Sequence, residues 1–116
     1  MLVERKEHKN EGSQVDYIES IFKSDNVLKT TYFPTMNKLY IAFNRGGTYS
    51  YGNITLTIYD EFEKSESQGK YFRANILNKT QFPCRKEFTL YPTEVKDLKQ
   101  VVIEAVLKED KEELND

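Results

Sequence analysis

The sequence predicts one α+β domain: an antiparallel three-stranded meander followed by two helices, with an N-terminal helix before it and a strand–helix extension after it. Three observations carry that prediction. Lys38 to Asn44 alternates Leu39, Ile41 and Phe43 with Lys38, Tyr40 and Ala42, the period-2 pattern of a half-buried strand. The strand-like segments around it are joined by turns too short for parallel crossovers. Beyond residue 53 the apolar spacing changes to that of helices.

Each element has its own justification. Residues 1–12 are charged and end in Gly12, so they are expected to be a disordered N-terminus. Val15, Ile18, Ile21 and Phe22 recur at helical spacing behind Ser13, which predicts a short capped helix. Asn26 to Phe33 is rich in β-branched and aromatic residues and reads as the first strand. Pro34 to Asn37 turns the chain into the second strand, and Arg45-Gly46-Gly47 turns it into the third, Thr48 to Tyr51. Asn53 is placed to cap a helix through Lys64, with Ile54, Ile58, Tyr59 and Phe62 on one face. Ser67 or Gln68 starts another, directing Tyr71, Phe72 and Ile76 inward. Gly69 in its first turn costs helix stability and therefore points to a close backbone approach. Glu87 to Tyr91 alternates as a short strand, and Thr93 caps a helix carrying Val95, Leu98, Val101, Val102, Ala105 and Val106. The organisation is then a single domain over 13–107 and an acidic C-terminal tail over 108–116.

Composition narrows the function classes. With 116 residues, 38% apolar and 13% aromatic, the chain can build one small core of bulky rings. No apolar run reaches the roughly 20 residues of a membrane span, and the start lacks the apolar stretch of an export signal. With a lone Cys84 as well, the expectation is a cytoplasmic protein without a membrane partner. Residues 23–99 hold 12 basic and 8 acidic side chains, whereas 100–116 hold 2 and 6. A mildly basic middle permits polyanion binding without demanding it, and ordinary surface solvation is the simpler explanation.

The stretch Tyr49 to Ile76 carries a resemblance. Tyr49 and Tyr51 flank Ser50, and Asn53, Tyr59, Phe62, Ser67, Gly69, Tyr71 and Phe72 follow in order after Phe43 and Gly47. Over about residues 26–79 this resembles the KTSC domain, named after the C-terminus of some lysyl-tRNA synthetases. The resemblance implies a strand meander followed by two helices. It also implies a setting in small bacterial and phage proteins or beside a tRNA-charging enzyme, where RNA binding has been suggested. Thr55, Ser65 and Arg73 depart from residues common in the family, and the segment from Phe82 onward is additional.

The candidate chemistry is recognition without a reaction centre. Tyr49 and Tyr51 lie two apart on a strand, so their rings share a side. On an open face they form a base-stacking pair; under the helices they are core, and the open face then shows Ser50 and its cross-strand neighbours. Arg45, Lys70 and Arg73, with Lys79, Arg85 and Lys86 nearby in sequence, are candidate phosphate contacts or scattered solubilising charge. Asp60, Glu61 and Glu63 read as solvated charge. His8 lies in the expected tail, so no His-based metal site or catalytic triad is anticipated. Cys84 before Arg85 and Lys86 lacks a histidine base.

The expected function is therefore a non-enzymatic module with no cofactor and no metal. It binds RNA, single-stranded nucleic acid or a nucleotide-like anion through Tyr49, Tyr51, Arg45, Lys70 and Arg73. The alternative is a protein-binding regulator, such as a phage-encoded inhibitor of a host enzyme or defence factor. A homo-oligomer through the C-terminal helix is a further option.

Overall fold

The computed structural model describes residues 1–114. Six antiparallel strands form one sheet in strict chain order: β1 Leu2–Lys9, β2 Val15–Phe22, β3 Val27–Phe33, β4 Lys38–Phe43, β5 Gly47–Tyr51 and β6 Cys84–Thr89. Helices α1, Leu56–Lys64, and α2, Gln68–Asn75, are inserted between β5 and β6, and α3, Pro92–Leu114, follows β6. The α+β class stands, but the expected three-stranded meander is only the β3–β5 centre of a sheet twice as wide.

The inner face of the sheet carries α1 and α2. Ile18, Phe22, Tyr32, Leu39, Ile41 and Tyr51 meet Tyr59, Phe62, Phe72 and Ile76 there in one buried cluster. Ring geometry locks the two layers. Tyr32 stacks on Tyr59 at 4.4 Å between centroids, and Tyr51 meets Phe72 edge-on at 5.3 Å. The start of α1 is capped by Thr55, whose side chain accepts from the Ile58 N–H, not by Asn53, which has a positive φ of 60°. Ser67 caps α2 in the same way through the Lys70 N–H.

Both N-terminal expectations are corrected. Residues 2–9 are a strand, and 15–22 are a second strand instead of a helix. In β2 the inward positions are Ile18, Ser20 and Phe22. The polar Ser20 breaks the apolar alternation, and Ile21 on the outer face completes a spurious helical spacing. Ser20 faces inward because partners await it. Its hydroxyl lies 3.0 Å from the Tyr59 hydroxyl and donates to Glu63 Oε2 at 2.9 Å. Thr30 Oγ1 is likewise 3.0 Å from the Tyr59 hydroxyl, and Arg5 Nε donates to Glu63 Oε1 at 2.8 Å. Glu63 is thus buried and bonded, contrary to its reading as solvated charge. Desolvation pushes the Tyr59 hydroxyl pKa upward, so it stays protonated.

At the other end, β6 begins at Cys84, earlier than Glu87, and the last helix begins at Pro92, one residue before Thr93. This helix continues through the stretch assigned to the acidic tail, of which residues 115–116 lie outside the described structure. It packs against β2 and β3 on the outer face. A register shift between Val27 and Lys29 places Leu28 in a groove with Val102 and Ile103. No described helix is long and apolar enough to cross a membrane.

Candidate functional site

Two of the basic residues singled out in the sequence converge. Arg45 stands in the β4–β5 turn and Arg73 on α2, and both line a groove of about 540 Å³ at one end of the sheet. Phe43 and Phe72 form its apolar part, their rings edge-to-face at 5.5 Å, with Leu77 beside them. Asn26 and Asn44 add polar groups, and Asp25 is the one carboxylate in the lining.

The groove is held by local chemistry. The Asn44 side-chain amide donates to the carbonyls of Ser24 and Asp25 at 3.0 and 2.7 Å, tying the end of β4 to the β2–β3 loop. The Asn26 side-chain oxygen accepts from Arg73 Nη1 when its amide is oriented to satisfy both of its ends. Gly69 makes this possible. A Cβ there would lie 3.0 Å from the Asn26 amide and 3.3 Å from Arg73 Nη1, so the glycine marks the close approach that its cost in a helix suggested.

The remaining candidates are elsewhere. Tyr49 and Tyr51 pair in register with Ile41 and Leu39 and therefore face the helices. Tyr51 is 3% exposed, and its hydroxyl pKa is raised by burial. Tyr49 is half-buried and meets Phe43 edge-on at 6.0 Å. Neither ring lies on the open side of the sheet. Lys70 is exposed beside Ser65, Glu66, Ser67 and Tyr71, apart from Arg45 and Arg73. Tyr71 donates to Glu61 at 2.8 Å, and burial together with this bond pushes its pKa up to about 12.

The outer face shows what the sequence reading missed. His8, Tyr17, Phe33 and Tyr40 form a row across β1–β4, with successive centroid distances of 4.2, 5.6 and 5.7 Å. Tyr40 is the cross-strand partner of Ser50, so register alone points to it once Tyr49 and Tyr51 are turned inward. His8 belongs to β1, not to a loose tail, with Nε2 2.7 Å from Glu19 Oε1. Cys84 is exposed.

The family model described as the KTSC domain matches residues 23–82, half of the chain, and spans every residue of the groove. The chain belongs to the KTSC domain family. A KTSC domain protein from Yersinia pestis, known from its crystal structure, is similar at 30% identity and a TM-score of 0.56. The similarity covers 60% of this chain and 96% of that one. No curated protein matches the chain. In this KTSC protein, β1, β2, β6 and α3 therefore lie outside the segment matched to the family.

Proposed function

We propose that this KTSC protein is a non-enzymatic binding module for single-stranded nucleic acid, with the phosphate backbone held in the groove between Arg45 and Arg73. The observation that carries this reading is that two arginines, one on a hairpin turn and one on a helix, line a single groove with aromatic walls. Guanidinium is suited to phosphate because its planar donors match two oxygens at once. Arg73 is also pre-oriented by Asn26, which lowers the ordering cost of binding. Asp25 sets an opposing charge at one side, so the groove favours a backbone that passes Arg45 and Arg73 and not a diffuse polyanion. Tyr49 supports the Phe43 wall from within, in place of the stacking role expected for it.

The test is fluorescence anisotropy with a labelled single-stranded decamer across a salt series. Wild-type affinity is expected to fall steeply with salt. Arg45→Ala and Arg73→Ala should each weaken binding and reduce the logarithmic salt slope by about 0.7 for each phosphate no longer neutralised. The decamer should be recovered intact. Binding that is insensitive to salt and to both substitutions, or cleavage of the decamer, defeats the proposal.

A further inference from the structure

The outer face of the sheet holds a concavity of about 230 Å³ that the Arg45–Arg73 groove does not use. Small side chains form its floor on neighbouring strands: Thr31 on β3, Ala42 on β4 and Thr48 on β5. Rings rise around it, Phe33 and Tyr40 on one side and Phe88 on the other. Phe33 and Tyr40 meet at 72°, and Phe88, beside Thr48 in register, is 52% exposed. Leu90 completes the wall. Phe88 and Leu90 both lie beyond the matched segment, so the extension of this chain supplies two of the eight lining residues.

We propose that this concavity receives one unpaired base of a single strand whose phosphates occupy the groove, an inference that rests on the function proposed above. Size and chemistry agree. The volume is below the roughly 300–1,000 Å³ of sites for drug-sized ligands, and it suits a single planar ring. Aromatic walls accept any base by stacking. Lys38 Nζ borders the site, 5.2 Å from the Tyr40 ring centre, and Lys29, in its lining, is paired with Glu19. The carboxylates nearest in register are already engaged, Glu19 by Lys29 at 2.6 Å and Glu87 by the Ser50 hydroxyl at 2.7 Å. Groove and concavity are also neighbours. The Leu90 N–H donates to the Gly46 carbonyl at 2.8 Å, one residue from Arg45, so a strand reaches from the groove on the helix side to the concavity on the outer face by passing around the β4–β5 turn.

The experiment compares a thymidine decamer with an abasic decamer of the same length and charge. Wild-type protein should prefer the base-bearing strand. Phe88→Ala, at an exposed ring whose loss spares the core, should remove roughly 5- to 100-fold of that affinity and leave abasic binding unchanged. Tyr40→Leu should act in the same direction, whereas Arg45→Ala should weaken both strands. Equal wild-type affinity for the two decamers, with Phe88→Ala silent, overturns the base pocket and leaves the phosphate groove standing. No binding of either decamer overturns both. An acidic peptide with an aromatic side chain that shifts the Phe33, Tyr40 and Phe88 resonances, while the decamer does not, overturns the proposal in favour of a protein partner.

Discussion

Replacing Tyr59 with phenylalanine removes one oxygen from the centre of the molecule and tests what holds α1 to the sheet. That hydroxyl is 3.0 Å from both Ser20 Oγ and Thr30 Oγ1. Ser20 retains a partner in the variant because it also donates to Glu63. Thr30, 1% exposed, is left with a buried hydroxyl and no side-chain partner. A typical hydrogen bond contributes about 0.5–1.5 kcal/mol net, and an orphaned buried polar group costs about 1–3 kcal/mol. With one bond rescued and one group stranded, the expected loss is about 2 kcal/mol. At about 4–8 °C per kcal/mol for a domain near this size, the melting temperature should fall by roughly 10 °C. Urea unfolding gives the sharper assay, with a lower midpoint at unchanged slope. The diagnostic comparison is Tyr59→Phe with Thr30→Val, in which no hydroxyl is stranded. This double variant should be no less stable than Tyr59→Phe alone, because removing both partners of a bond is far milder than removing one. A Tyr59→Phe loss below about 0.5 kcal/mol, or strictly additive losses, would refute the reasoning.

Gly46→Ala should destabilise by about 1–3 kcal/mol, since Gly46 has φ of 97° and an added Cβ would sit 3.1 Å from the Leu90 carbonyl and 3.2 Å from Val95 Cγ2. Hydrogen exchange should locate the loosening in β6 and the start of α3; unchanged protection there contradicts it. For acid stability, the hydrogen bond from Lys29 holds the Glu19 carboxyl below its ordinary value of 4.5. A lowered folded-state pKa contributes stability above about pH 4.5 that is lost as pH falls through the folded value. Urea midpoints should therefore drop on acidification below about pH 4.5, and less so in Glu19→Gln; equal drops in both proteins exclude this pair as a cause.

How legible the fold was depended on whether an element announced itself through apolar period. β4 did, because Leu39, Ile41 and Phe43 all face inward. The helices α1 and α2 did, through Ser67 and the Tyr59–Phe62 and Tyr71–Phe72 pairs, although α1 is capped by Thr55, two residues after the expected Asn53. β1 was illegible for a physical reason: two of its inward residues, Arg5 and Glu7, are charged and pair with each other, and Arg5 also pairs with Glu63. Inward charge on an edge strand discourages pairing with other chains and hides the strand from any apolar pattern. β2 was misread through Ser20, whose partners are 39 and 43 residues away. Of the site, the two arginines were legible as isolated charges, but their sharing of one groove depends on α2 packing back against the end of β4 through Phe43 and Phe72. The outer aromatic row depends on register between four strands, which residue spacing within one strand does not encode.

The chain-order sheet has a kinetic consequence. Four of its five strand pairings join segments linked by short turns, so they can form as a progressive zipper. The fifth, β5 with β6, must bridge residues 52–83, at an entropic disadvantage of about 2 kcal/mol relative to a turn of about four residues. Assembly should therefore finish at β6, and thermal breathing should begin there, which makes the rim contributed by Phe88 and Leu90 the last part of the surface to take shape.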